Sequence, residues 1–328
     1  MIPKVSAIVP FYNVGRFIGR CAESLLSQTL DDLEIIFVDD ASPDDSRAVL
    51  EEVIARHPGA NVRILTHEAN KGLPAARNTG LAQARGEYIY HCDSDDWLEP
   101  GILEKMYSAA VGAGADYAYC DFFLTFPGSE RYMGNPTYGS AEEMLKKGFL
   151  AGNMKFNVWN KLVRRDVYVR SGILFPEGHG MGEDTTMIML AARSVGVVHV
   201  PQAGYHYVKS NPNAFTNTVS ERHMTDFQHN FDRTVAYLED CDFSEKEKYL
   251  SLFKLSLVIP CLTNGRWEMA EFWERKYPEA FADIFANDAM PLRTKVILWL
   301  GTKKMYPVLA VYNFLVNKVY YGLRYRQP

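Results

Sequence analysis

Tyr-Ile-Tyr-His-Cys-Asp-Ser-Asp-Asp-Trp, residues 88–97, runs an apolar strand straight into a cluster of carboxylates. Asp93, Asp95 and Asp96 fall within four positions, where they repel one another unless a cation sits among them. Hard oxygen donors at i and i+2 suit a divalent ion that also holds a diphosphate, which makes Asp93 and Asp95 metal-ligand candidates. A helix start accounts for part of the cluster: Glu99-Pro100 opens a helical pattern, and Asp96 and Glu99 are placed at its positive end. Asp93, still on the strand, has no such task, and a site is favoured over a cap.

Working outward, three further apolar runs read as strands: residues 5–9, ended by Pro10, residues 33–38, stopping at Asp39-Asp40, and residues 62–66. Between them Phe17, Ile18, Cys21, Leu25 and Leu26 recur at helical spacing, and Ser42-Pro43-Asp44-Asp45 predicts an N-cap for a second helix to about Arg56. A third helix opens at Pro74, and Arg85-Gly86 predicts its left-handed C-cap. Strands alternating with helices imply β-α-β units, hence an α/β fold with a mainly parallel sheet and helices on both faces. Ligands then belong at the carboxyl ends of the strands. Tyr12-Asn13, Asp39-Asp40 and Asp93 to Asp96 all fall there, which predicts a single crevice.

Downstream the pattern is less regular. A strand is expected over residues 117–124, a loop over 127–139, a capping box at Ser140 and Glu143, and a strand over 156–163. A glycine-rich loop at 175–182 precedes Glu183-Asp184 and a helix over 185–193. Two short strands at 197–200 and 204–208 lead to a loop at 209–217, and from Ser220 onward the pattern is helical, broken at Pro260, Pro278, Pro291 and Pro307. The expected division is residues 1–217 for the α/β domain and 218–328 for an α-helical C-terminal extension.

With 47% hydrophobic and 23% charged residues, the 328-residue chain can bury a sizeable core. Its five cysteines form no Cys-x-x-Cys pair, so neither a disulfide framework nor a zinc knuckle is expected, and a reducing cytoplasm fits. The apolar run at 5–9 is too short for a signal peptide. A net charge of −5 argues against a nucleic-acid partner, yet residues 291–328 hold seven lysines and arginines and no acid.

Five motifs, in order, carry a resemblance: Val-Ser-Ala-Ile-Val-Pro-Phe-Tyr-Asn (5–13), Ser-Leu-Leu-Ser-Gln-Thr (24–29), Val-Asp-Asp-Ala-Ser-Pro-Asp (38–44), Asn-Lys-Gly-Leu-Pro-Ala-Ala-Arg-Asn (70–78) and Asp-Ser-Asp-Asp (93–96). Over about the first 210 residues the chain resembles a family 2 inverting glycosyltransferase with the GT-A fold, similar to bacterial polysaccharide-assembling members. The resemblance implies a metal-dependent enzyme of the hexosyltransferase type, moving a sugar from a nucleotide-sugar, usually a UDP-sugar, to a glycan or lipid-linked acceptor hydroxyl.

It implies that Pro10 and Tyr12 line the base pocket and that Asp40 hydrogen-bonds the uracil ring, with Asn13 and Asp39 also on the nucleotide; a turn or cap acid is the other reading of Asp39. A carboxylate accepts the imide N–H, and an aromatic packs on the ring face. Asp95 would bind Mn²⁺ or Mg²⁺ bridging the phosphates, Asp93 would meet the donor's ribose with Ser94 also on the nucleotide, and Lys71 and Arg77 would assist the phosphates; a solvated or structural salt bridge is the other reading of both. Glu183-Asp184 falls where the family has its base, with Asp184 the candidate and Glu183 on the acceptor side; capping the next helix is the other reading of both. Trp159, Asn160 and Lys161 resemble an acceptor-facing stretch, although Trp159 suits a core equally, and His206 stands where relatives touch the diphosphate or metal; His179 has a weaker claim. The one departure is Ala41, where many relatives have glycine, so the turn after Asp40 is expected to avoid positive φ.

Two rival functions stay open. A sugar nucleotidyltransferase should show a glycine- and basic-rich loop after the first strand, which residues 10–15 lack; an inactive nucleotide-sugar-binding module should not need Asp93, Asp95 and Asp184. The basic, aromatic segment 291–328 predicts peripheral contact with an anionic membrane, at its cytoplasmic face, because its longest uncharged run, 305–317, is broken by Pro307 and too short to span.

Overall fold

The computed structural model describes residues 2–211, 220–282 and 284–316 and divides into two compact units. One comprises Met1–Leu145 and Met154–Tyr237, the other Lys146–Asn153 and Leu238–Pro328.

Among the described residues the first unit is built on nine strands: β1 (Val5–Phe11), β2 (Leu33–Asp39), β3 (Asn61–Thr66), β4 (Tyr88–His91), β5 (Trp97–Leu98), β6 (Tyr117–Phe126), β7 (Ser129–Met133), β8 (Lys161–Arg164) and β9 (Val197–Val208). They lie in the order β3-β2-β1-β4-β8-β6-β9-β5, with β7 on β6. The β3-β2-β1-β4 half is parallel, as the alternating pattern requires, and β8 enters antiparallel to both β4 and β6, making the sheet mixed. Every β1 residue is buried, the mark of a strand covered on both faces. Its register pairs Phe11 with Asp39 and Ile8 with His91, so the polar residues after β1, β2 and β4 emerge at one end of the sheet.

The helices of this unit are α1 (Gly15–Leu26), α2 (Ser46–Ala55), α3 (Leu73–Gln83), α4 (Ile102–Gly112), α5 (Ala141–Glu143), α6 (Arg165–Ser171), α7 (Thr186–Ala192) and most of α8 (Glu221–Glu239). Helix α1 shows why they form: Ile18, Cys21, Ala22 and Leu25, at i, i+3, i+4 and i+7, are its buried residues and make one stripe. Deleting such a buried leucine side chain costs about 2–5 kcal/mol.

Five local expectations are corrected. Helix α2 starts at Ser46, not at Pro43: Ser42 Oγ accepts Asn13 N–H at 3.3 Å instead of capping a helix, and the Asp44 carboxylate accepts Gly15 N–H at 2.9 Å, Ser46 N–H at 3.3 Å and Ser46 Oγ–H at 2.6 Å. Gly86 is no left-handed cap; it is glycine because a Cβ there would stand 2.4 Å from Ser6 N on β1. Ala41 does take positive φ, 60°, held there by Asp39 Oδ1, which accepts Ser42 N–H at 2.8 Å. The expected loop 127–139 contains β7, which pairs from Phe122↔Met133 to Phe126↔Ser129. The capping box at Ser140 and Glu143 is present, with Ser140 Oγ accepting Glu143 N–H at 3.1 Å and Glu143 Oε2 accepting Gly139 N–H at 2.8 Å. The two strands expected at 197–200 and 204–208 are one, β9, with a register shift against Cys120 and Asp121. Of the expected loop 209–217, residues 212–217 lie outside the described residues.

The second unit is helical: α9 (Lys246–Ser256), α10 (Val258–Thr263), α11 (Trp267–Lys276), α12 (Pro278–Ala282), α13 (Leu292–Thr302) and α14 (Tyr306–Phe314). Its core includes Phe253, Leu262, Trp273, Leu298 and Leu309. Among the described residues no helix is long and apolar enough to cross a membrane.

Candidate active site

At the end of β2 the chain spends two carboxylates on shaping a crevice. Asp40 is buried, and its Oδ1 accepts Lys71 N–H at 2.8 Å and faces His67 Nδ1 at 2.6 Å, while Oδ2 accepts Gly72 N–H at 2.8 Å. The Asn70-Lys71-Gly72 turn is thereby fastened to β2, and Gly72, at φ 90°, supplies a conformation that a side chain would resist. A carboxylate offers about four lone-pair sites, so Asp40 retains room for one more donor. Asp39 engages Ser42 N–H through Oδ1. Pro10 is buried, Tyr12 is 46% exposed, and Asn13 sits at positive φ beside Ser42, so the residues after β1 offer an open aromatic face. The Lys71 side chain is exposed.

Helix α3 carries the centre of the site. Arg77, fully buried, donates from Nη2 to Asp93 Oδ1 at 2.8 Å and from Nε to Glu183 Oε1 at 3.0 Å. Burial opposes a charged guanidinium, but Glu183, Asp93 and Asp184 outweigh it and hold the Arg77 pKa above its ordinary value. Its neighbour Asn78 accepts Phe175 N–H and donates to Phe175 O, both at 2.9 Å. These two residues fasten the glycine-rich loop to the helix that also meets the β4 carboxylates.

Glu183 and Asp184 open a single 3₁₀ turn, Glu183–Thr185, after Gly182 at φ 80°. Burial pushes Glu183 well above the usual carboxylate range against the pull of Arg77, and Asp184 adds to the rise. Burial raises Asp184 too, with Arg77 and Lys161 drawing it back. Arg77 Nε is bonded to Glu183 and not to Asp184, which leaves Asp184 as the carboxylate not engaged by that guanidinium in a hydrogen bond. Lys161, also buried, donates to Asn157 O at 2.5 Å and Asn160 Oδ1 at 2.7 Å; burial lowers its pKa to about 7, against the charge of Asp184.

The three β4 acids have separate fates. Asp93 meets Arg77. Asp95 accepts Asn211 Nδ2–H at 2.8 Å, and burial followed by the charge of Asp93 raises its pKa. A divalent ion relieves that same repulsion, so the pair fits one, although among the described residues no three His, Cys, Asp or Glu side chains converge as a complete metal site. Asp96 is no helix cap: it is buried, accepting Tyr205 Oη–H at 2.6 Å and Val208 N–H at 2.7 Å, and anchors β9. Ser94 between them is buried.

The remaining candidates are structural. Trp159 is buried and stacks on Tyr205 with centroids 4.3 Å apart, a core position rather than an acceptor-facing one. Asn160 donates to Cys120 O at 2.7 Å and is fully enclosed. His206 has both ring nitrogens engaged, Nε2 with Glu99 at 2.8 Å and Nδ1 with Glu130 at 2.7 Å, and its faces lie against Trp97 and Phe123. The expected contact with a diphosphate or metal is replaced by a clamp joining β7, β9 and the segment after β5. His179 faces Asp226 at 3.3 Å and stacks on His229.

The model of the family described as glycosyl transferase family 2 matches residues 6–170, half of the chain and all of the carboxylate crevice as far as β8. The chain belongs to this family. It is 36% identical over 224 residues to the uncharacterized glycosyltransferase EpsJ of Bacillus subtilis (strain 168), covering 66% of this chain and 64% of that one. The chain thus spans just under two thirds of that relative's length. In fold it is similar to S. aureus TarS 1-349, solved in complex with UDP-GlcNAc, with a TM-score of 0.72 at 21% identity over 96% of this chain and 92% of that one. It is also similar to mannosyltransferase PcManGT of Pyrobaculum calidifontis, solved with GDP-Man and Mn²⁺, with a TM-score of 0.57 at 16% identity over 100% of this chain and 89% of that one.

Several supports of this family 2 site were not singled out from the sequence. Tyr205 donates to Asp96 and accepts Asp93 N–H at 3.2 Å, setting the whole β4 turn. From α8, Asn230 Nδ2 donates to His179 O and Met181 O, both at 2.9 Å, while Asp226 accepts Gly180 N–H at 3.1 Å. Their only signals were a tyrosine next to His206 and two polar residues at i and i+4 on an amphipathic helix.

Proposed function

We propose that this chain is an inverting glycosyltransferase that moves a sugar from a UDP-sugar to an acceptor hydroxyl in glycan assembly. The observation that carries it is the double contact of Arg77, which joins Asp93 of the β4 turn to Glu183 of the Glu183-Asp184 turn. Donor-binding and proton-accepting carboxylates so joined are what a displacement at one carbon requires. The complexes of TarS with UDP-GlcNAc and of PcManGT with GDP-Man support a nucleotide-sugar donor.

In this reading the uracil ring packs on Tyr12 and its imide N–H is accepted by the Asp39-Asp40 carboxylates. Arg77 Nη1, without a partner among the described residues, is a donor left for a phosphate oxygen. Asp184 accepts the proton of the acceptor hydroxyl as its oxygen bonds to the anomeric carbon and the bond from that carbon to the diphosphate breaks, releasing UDP. The acceptor oxygen enters opposite the leaving group, so one carboxylate suffices. Asp95 with Asp93 would hold Mn²⁺ or Mg²⁺, which when bound supplies Lewis-acid neutralisation of the diphosphate.

The test is a screen of UDP-hexoses and UDP-N-acetylhexosamines for thermal stabilisation with and without Mn²⁺, followed by UDP release in the presence of glycan acceptors. Stabilisation without release under any acceptor would leave a binding module; stabilisation by a sugar 1-phosphate with a nucleoside triphosphate would favour a nucleotidyltransferase.

A further inference from the structure

Of the seventeen large hydrophobic side chains exposed among the described residues, eight fall between Leu292 and Leu315. On α13, Leu292, Val296 and Trp299 recur at i, i+4 and i+7 and are 70, 41 and 41% exposed, while Ile297, Leu298 and Gly301 turn inward. On α14, Val308, Val311 and Phe314 are 46, 61 and 60% exposed, while Leu309 is buried. Both helices are therefore apolar on the side that packs and on the side that does not. Arg293 on α13 bonds the Tyr312 hydroxyl on α14, so the two helices stand side by side. Surface patches of this kind mark a binding face rather than an ordinary soluble surface.

We propose that this face docks on an anionic lipid surface. Charge selects the occupant: residues 291–316 contain Arg293, Lys295, Lys303 and Lys304 and no acid, with Glu271 of α11 answering Lys304 at 3.5 Å. A second copy seated face to face would set these cations against their own images, because a two-fold contact repeats the same patch on both sides. Anionic headgroups neutralise them, and apolar side chains flanked by lysine and arginine, with an aromatic such as Trp299, are the composition of a helix lying in the interface. Neither helix is long enough to span, so both lie along the surface.

The test is co-sedimentation of the full chain with vesicles of phosphatidylglycerol and phosphatidylcholine, against phosphatidylcholine alone, at low and high salt, with the Val311→Glu/Phe314→Glu double variant beside it. Both positions are exposed, so the variant retains its fold by circular dichroism. Binding to the anionic vesicles only, weakened by salt and reduced at least about 10-fold in the variant, is expected. No binding, or equal binding of the variant, overturns the proposal. A doubling of mass by sedimentation equilibrium without vesicles, lost in the variant, assigns the face to a second copy and overturns it as well.

Discussion

Arg77 Nε and Glu183 Oε1 lie 3.0 Å apart although 106 residues separate them in the chain. The contact is wholly buried, and the same guanidinium reaches Asp93. Breaking a buried pair by removing one partner costs about 3–5 kcal/mol, because the other charge is left uncompensated. Arg77→Met should therefore destabilise the protein by that amount in urea unfolding, and adding Glu183→Gln should recover part of it. An additive double-mutant cycle would show that the two do not interact.

Asp184→Asn keeps the shape of the turn and removes the proton acceptor. Turnover should fall about 10²-fold or more while UDP affinity by calorimetry is unchanged. Because Glu183 Oε1 is already taken up by Arg77 Nε, Glu183→Gln should be the milder of the two in turnover. A reversed order would move the base to Glu183.

Removing the ion and removing its ligand should look alike. Asp95→Ala is expected to bind UDP with the affinity that the native protein shows in EDTA, and to gain nothing from Mn²⁺. A Mn²⁺-linked rise in affinity equal to the native one would take the metal away from Asp95.

Lys161 gives a pH signature. Burial lowers its pKa from 10.5 to about 7, so between those values the unfolded chain binds more protons than the folded one and stability rises with pH. Below about pH 7 the folded protein carries the full cost of a buried ammonium. Lys161→Met removes this contribution; the difference in unfolding free energy between native and variant should therefore change in favour of the native protein from pH 7 to 9. A difference that stays flat with pH would place the ammonium in contact with water.

Legibility followed the range of the interactions. The strands and the acids that end them were readable, since a buried parallel strand is a continuous apolar run and a carboxylate at its end has no core role. The Glu183-Asp184 turn was readable through its glycines. What was hidden depends on partners far along the chain. Ser42 and Asp96 look like helix caps until Asn13, Tyr205 and Val208 are brought to them. His206 looks like a ligand until Glu99 and Glu130 occupy its ring. Ala41 tolerates a left-handed backbone only because the bonds around Asp39 and Asp40 over-determine the turn.

Asn230 holds the backbone of His179 and Met181 from a helix that lies wholly beyond the family match at residue 170. Exchange of parts between relatives should respect that reach. A hybrid joined at residue 170 would pair Arg77 and Asn78 of one protein with the Phe175 to Glu183 loop of another, whereas a joint after Tyr237, where the first unit ends, carries Arg77, that loop and Asn230 together. The inheritable module is thus longer than its sequence signature, and recombination that follows the signature alone cuts through the part that keeps Asp184 in place.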